Sequence, residues 1–421
     1  MADWAHQAAQ MADIFSHAYI TIAASAAENG QQGLLNRRKT YRIDKSQGDT
    51  NYSVCVRGGI QHELLESSRI FPADSTSLRL RQRAWCFQEE ILSTRIAHFT
   101  RDEVVFVCRE ATACECKHGW FSRFQLPPFI GSSHLEPYEI WSDVVAHYTQ
   151  RQISFPKDRL PAISSLTWLL GEDTDRYLAG IWESHLPAAL LWFTERGNRP
   201  EPEYASRSSP PSWSWASIEG GVRHLVQSRT SNDTKEVAEV LDAYVKPSTT
   251  DARGMVSGGH ITLRGPLFPT EGTWKRYGEE TKVMDFGLQK NYSLFQPTCK
   301  PGWNRKEKWS EEDTCCCYLD DMNKIQPPLP TITFDTPIFL LVIRIGPRSS
   351  PHHDSSQHDR LELQGLLLKP LGEPNETQAK TIEDSRSESA FVRIGVGKMQ
   401  LGKEDAEQAL SHFGETVITI F

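Results

Sequence analysis

The sequence predicts a mixed α+β protein in successive stretches: a partial α/β module, a helical middle section and an antiparallel β-rich C-terminal region. Three observations predict it. A helical stripe near the start runs straight into an unbroken apolar stretch. Patterns rich in Trp and Leu at helical spacing fill the middle. Short alternating runs separated by turn residues occupy most of the second half.

Residues Asp3 to Ser16 read as an amphipathic helix, because Asp3 can cap it and Trp4, Ala8, Met11 and Phe15 recur on one stripe. Ala18 to Ala24 follows with Ile20, Thr21 and Ile22, a run apolar at successive positions that suits a strand covered on both faces. A polar loop (Asn29 to Asn51) leads to a strand at Tyr52 to Val56. Arg81 to Leu92 reads as a helix, and Arg95 to Phe99 with Glu103 to Cys108 as a hairpin around Thr100-Arg101-Asp102. Residues 109–136 read as irregular, with Pro127-Pro128 marking a linker. Pro137 opens a helix with Ile140, Trp141, Val144, Val145 and Tyr148 on one stripe, and Lys157 to Leu170 and Asp175 to Thr194 are read as further helices. Ser212 to Ser217 alternates like a strand, with Trp213 and Trp215 on one face. Strands are expected at Val240 to Val245, His260 to Leu263, Pro337 to Ile345, Leu361 to Leu368, Ala390 to Val396 and Thr416 to Phe421. Polar insertions at 270–332 and 347–360 read as partly disordered. The domain plan is 1–110, a linker 111–136, a helical section 137–220 and a β-rich region 221–421.

At 421 residues the chain is too long for one ordinary core. Its 38% hydrophobic and 24% charged residues describe a globular protein. The net charge of -8 is spread along the sequence, which argues against nucleic acid as a partner. The Arg37-Arg38-Lys39 run reads as a solvated loop. The apolar run Ile338 to Ile343 is far short of the ~20 residues that span a bilayer. Nine cysteines without a disulfide-framework spacing, and no cationic-then-apolar opening segment, give the expectation of a cytoplasmic protein with free thiols.

Among chemistry-bearing residues, Cys108, Cys114, Cys116 and His118 invite a metal reading, but their spacing is unlike a zinc knuckle, so no metal or cofactor is expected. The Cys315-Cys316-Cys317 triplet is a weaker candidate. Asp158-Arg159, before Leu160-Pro161, reads as a helix cap with a local ion pair. Arg83, Trp85, Gln88 and Glu89 fall within two helical turns. Trp85 needs burial and a partner for its indole N–H. Arg83 can pair with a carboxylate, and Gln88 and Glu89 read as bonding nearby loop backbone. Core anchoring is the main reading of Trp213 and Trp215, with a ligand-stacking shelf as the other.

Three blocks carry a family resemblance: Gln7 through Ser25, Arg83-Ala84-Trp85-Cys86-Phe87-Gln88-Glu89, and Asp158 to Ile163 with Tyr177 to Trp182 and Pro211 to Ala216. In order and spacing they resemble the second half of the fungal heterokaryon-incompatibility (HET) domain. The blocks of that family's first half are missing, so the expectation is a chain that starts inside the domain, with an uncovered sheet edge. The resemblance implies a partial three-layer α/β, TIR-like module, and a role in self/non-self recognition linked to programmed cell death. It implies action by association with a protein partner or by self-association. The alternative it implies is a TIR-like hydrolase with NAD as substrate and Glu89 as the site carboxylate. An inactive HET fragment is a second alternative.

Overall fold

The computed structural model describes residues 10–35, 40–47, 50–57, 79–101, 103–115, 117–122, 136–171, 174–194, 210–225, 234–249, 251–270, 273–277, 294–297, 314–320, 331–333, 338–347, 360–371 and 389–421. The chain folds as two compact units, Met1–Leu170 and Gly171–Phe421. It is a mixed α/β protein, with five α-helices among the described residues and a strand-rich second unit.

In the first unit, α1 (Met11–His17) enters β1 (Thr21–Ala23), and β2 (Thr40–Gln47) and β3 (Thr50–Arg57) form a separate hairpin. The helix α2 (Trp85–Leu92) follows a 3-10 turn at Arg79–Gln82. Strands β4 (Arg95–Phe99), β5 (Val104–Cys108), β6 (Ala111–Cys114) and β7 (Lys117–Ser122) complete a five-stranded sheet in the order β1-β4-β5-β6-β7. Helices α3 (Pro137–Thr149) and α4 (Pro161–Leu170) close the unit. A reciprocal capping box between Glu136 and Glu139, with Pro137 in the first turn, sets the start of α3. Of its expected stripe, Trp141, Val144, Val145 and Tyr148 are buried and Ile140 is only partly so, while Tyr138 is buried in addition.

Several expectations need correcting in this unit. The part of the first helix before Gln10 lies outside the described residues. The strand at Thr21–Ala23 is not covered on both faces. Among the described residues it pairs only with β4, in parallel, at the edge of the described sheet, and Ile22 is 60% exposed. The polar loop contains β2, and the stretch read as irregular contains β7 and β6, the latter built of Ala, Thr and Cys too small to give a strong apolar alternation.

The second unit opens with two short strands, β8 (Tyr177–Leu178) and β9 (Ile181–Trp182), then β10 (Trp192–Thr194) and β11 (Val222–His224). Asp175 to Thr194 is therefore not a helix. Ala179 and Gly180 both take positive φ, 46° and 104°, which makes a tight hairpin, and between it and β10 there are only short 3-10 turns at Glu183–His185 and Ala188–Leu190. Ser212 to Ser217 is not a strand either. It is a turn followed by a 3-10 turn at Trp215–Ser217, with the Ser214 side chain accepting from the Ala216 N–H.

The rest is one large sheet: β12 (Lys235–Glu236), β13 (Glu239–Pro247), β14 (Val256–Thr270), β15 (Thr273–Tyr277), β16 (Leu294–Pro297), β17 (Thr314–Leu319), β18 (Thr331–Thr333), β19 (Ile338–Pro347), β20 (Arg360–Pro370), β21 (Ser389–Gly402) and β22 (Glu415–Ile420). Strands β14, β19, β20, β21 and β22 each pair with the next, and β22 pairs back to β14, so these five close into a small barrel. The one parallel step, β21 to β22, is bridged by α5 (Lys403–Phe413). This helix was missed because it is polar overall; Ala406 and Ala409 alone are fully buried on it, among Phe268, Leu340, Val342, Leu367 and Met399. The 270–332 insertion contributes β15 to β18, most of its remainder lies outside the described residues, and the Cys315 triplet lies on β17.

Candidate functional site: the signature helix α2

Two other parts of the first unit meet on α2, which itself carries the second sequence block. From the first block, Thr21 Oγ1 lies 2.7 Å from Ser93 Oγ, and Ser25 Oγ lies 2.9 Å from His98 Nδ1 on β4. From the connection between α3 and α4, the Gln152 backbone bonds on both sides of Arg83: its N–H donates to Gln82 O, and its carbonyl accepts from Ala84 N at 2.8 Å. Close by, the indole N–H of Trp85 donates to the Asp158 carboxylate. The partner that the Trp85 indole needs is thus a residue of the third block. Asp158 is buried and serves as this acceptor.

The strongest electrostatic feature is a residue the sequence reading passed over. Glu90, not Glu89, forms ion pairs: Arg81 contacts one carboxylate oxygen and Arg151 the other, at 3.1 Å. All three side chains are nearly buried. Burial pushes the Glu90 carboxyl up, but the two guanidiniums outweigh it and hold the group down at about 2. Arg151 also lies over the Phe87 ring, 4.6 Å from its centre. Burial, reinforced by Arg81, pushes His98 down to about 4, so above that pH it is neutral beside a charged Glu90.

The named motif residues divide by exposure. Arg83 is exposed and forms no ion pair among the described residues; its backbone pairs with Gln152 and its charge acts on Glu89. Gln88 is fully buried with neither amide atom hydrogen-bonded, so it does not bond loop backbone. Glu89 is half-buried. Burial raises its carboxyl, while a hydrogen bond from the Cys86 thiol and the charges of Arg83 and Arg151 oppose the rise. The Cys86 thiol is pushed up to about 12 by burial and by Glu89, which keeps it protonated and a poor nucleophile.

Trp213 and Trp215 are far from this arrangement in sequence and belong to the second unit. Both are fully buried, so they offer no shelf for a ligand. Trp192 Nε1 donates to Trp213 O at 2.9 Å, and Trp215 Nε1 donates to Gly180 O at 2.8 Å. Cys108 lies on β5 and Cys114 on β6, and Cys116 lies outside the described residues. Among the described residues no group of three or more His, Cys, Asp or Glu side chains is placed to hold a metal ion, and no helix is long and apolar enough to cross a membrane.

Residues 1–89 match the family described as "Heterokaryon incompatibility protein (HET)". The match ends on Glu89 and covers the first two of the three blocks, so the resemblance read from those blocks is borne out. It supports heterokaryon incompatibility in general as the setting of this segment. No curated protein and no solved structure matches the chain.

Proposed function

We propose that this chain acts in fungal heterokaryon incompatibility as a self/non-self recognition module, working by association with a protein partner or a second copy and coupled to programmed cell death. The family match over residues 1–89 carries the reading. The chemistry of α2 supports association over catalysis. Trp85 is committed to Asp158, Glu90 to two arginines, and the Cys86 thiol to Glu89. Side chains spent on holding the unit together leave little to act on a substrate.

One observation favours a second reading, a TIR-like hydrolysis of NAD. Glu89 is a half-buried carboxylate without a fixed ion pair, set near the charges of Arg83 and Arg151. A carboxylate so placed could stabilise the positive charge that develops as nicotinamide leaves. The experiment is inducible expression of the chain and of its Glu89→Gln variant in a fungal host, with growth and cellular NAD followed together. Association predicts growth arrest that survives the substitution with NAD unchanged. Hydrolysis predicts that toxicity and NAD loss disappear together. No arrest from either chain would sink both.

A further inference from the structure

The outer wall of the C-terminal barrel carries a row of aromatic rings. Tyr244 on β13 stands directly opposite His260 on β14, with ring centres 5.8 Å apart. Phe421, one residue past β22, continues the line, its ring 6.0 Å from His260. All three face outward. Tyr244 is 50% exposed and Phe421 46%, whereas the adjacent Ile261 and Ile420 point inward and are fully buried. Below the rings lie Asp242, whose Oδ2 is 2.8 Å from His260 Nε2, and the bonded hydroxyls of Thr262 and Thr419. The bulge between Val240 and Asp242 keeps Glu239 on this face, where it pairs with Arg264 at 2.9 Å. Above the rings is Gly258, at which an added Cβ would meet nothing within 4 Å.

The rings are tilted, by 37° and 49° between successive members, and we propose that this row binds a neutral oligosaccharide that twists along it, one sugar ring on each aromatic ring. Size decides first. Three half-exposed rings offer on the order of 250 Å², well short of the roughly 800 Å² that each partner of a stable protein interface contributes. The strip is one side chain wide and bounded below by polar groups, which fits a single ribbon-like chain. Charge decides next. The carboxylates beside the rings weigh against a phosphate backbone; Glu239 is paired with Arg264, and the Asp242 carboxylate is hydrogen-bonded to His260 and lies near Arg176. Chemistry then selects the ligand. The electron-rich faces of Tyr244 and Phe421 attract the weakly positive C–H face of a pyranose. Asp242 and the Tyr244 hydroxyl offer an acceptor and a donor to sugar hydroxyls at its rim. The inference concerns the second unit and does not depend on the association proposed above.

The test is calorimetric titration of the full chain with cellopentaose and with chitopentaose. The expected result is binding of at least one sugar with Kd on the order of 1 mM or tighter, weakened tenfold or more by Tyr244→Ala and by Phe421→Ala. His260→Gln, which keeps a donor for Asp242 but removes the ring, should weaken it as well. Unchanged thermal melting in at least one weakened variant identifies the loss as a loss of the site. Absence of binding to both sugars overturns the proposal. So does binding that all three variants retain, and so does displacement of the sugar by poly-lysine or a single-stranded oligonucleotide, which would reassign the row to a cation or a nucleic acid.

Discussion

Glu90 holds two guanidiniums where little water reaches, so removing its charge leaves both uncompensated. Glu90→Gln should destabilise the first unit by about 3–5 kcal/mol, the usual loss when one partner of a buried ion pair is deleted. Hydrogen exchange read on α2 peptides would register it, and protection within about 1 kcal/mol of the parent would remove the ion triad from the account. A neighbouring substitution separates shape from hydrogen bonding. Trp85→Phe keeps an aromatic ring but deletes the N–H that Asp158 accepts, leaving a buried carboxylate short of a donor. A loss of roughly 1–3 kcal/mol is expected, with Asp158→Asn nearly neutral because the amide oxygen still accepts. The motif Arg83 to Glu89 was visible in sequence because Trp, Gln and Glu at that spacing are uncommon. Glu90 was not, because nothing in a linear reading distinguishes two adjacent carboxylates. Its partners Arg81 and Arg151 are chosen by the way the loop at Gln152 docks, a long-range event.

Elements with one dominant period were legible, and those built by turns were not. The stripe of α3 and the apolar runs of β19 and β20 follow from spacing alone. The hairpin β8–β9 was mistaken for helix because its Leu, Trp and Ala content mimics one, while its determinants are two backbone angles. Ala179 sits at φ 46° and Gly180 at φ 104°, the pattern of a primed two-residue turn. These positions predict opposite signs. A Cβ on Gly180 would come within 2.5 Å of the Trp215 indole, whose N–H donates to the Gly180 carbonyl. Gly180→Ala should therefore cost about 2 kcal/mol or more, from the left-handed backbone and the clash together. Ala179→Gly relieves a positive φ on a residue with a Cβ and should stabilise by roughly 0.5–1 kcal/mol. Urea melts of the two variants in parallel check the pair. Equal shifts in the same direction would contradict the turn assignment. The helix α5 shows the converse: a short polar helix is invisible until the barrel supplies a place for Ala406 and Ala409.

Each unit has a histidine whose surroundings disfavour its protonated form, and this gives the whole molecule a pH response that can be followed unit by unit. His98 is held at about 4 in the folded first unit against an ordinary value of 6.5, by burial first and then by Arg81. Between those two pH values the unfolded chain binds a proton that the folded chain refuses, so stability falls as pH drops through that window and levels off below about 4. The loss amounts to roughly 3 kcal/mol. Glu90 acts lower on the scale with the same outcome. Held at about 2 against an ordinary 4.5, it adds stability that is full above 4.5 and disappears as pH falls towards about 2. In the second unit, His224 is held at about 3 by burial, then by His185 and Arg393, and weakens that unit on acidification in the same direction. The experiment is hydrogen exchange, corrected for intrinsic rates, on α2 and β4 peptides from the first unit and β11 peptides from the second, from pH 6.5 down to about 4. Both sets should lose protection. His98→Asn retains a partner for Ser25 but cannot titrate, so it should flatten the first unit's slope and leave the second unit's slope in place. A first-unit slope that persists in His98→Asn would move the sensor from His98 to another group.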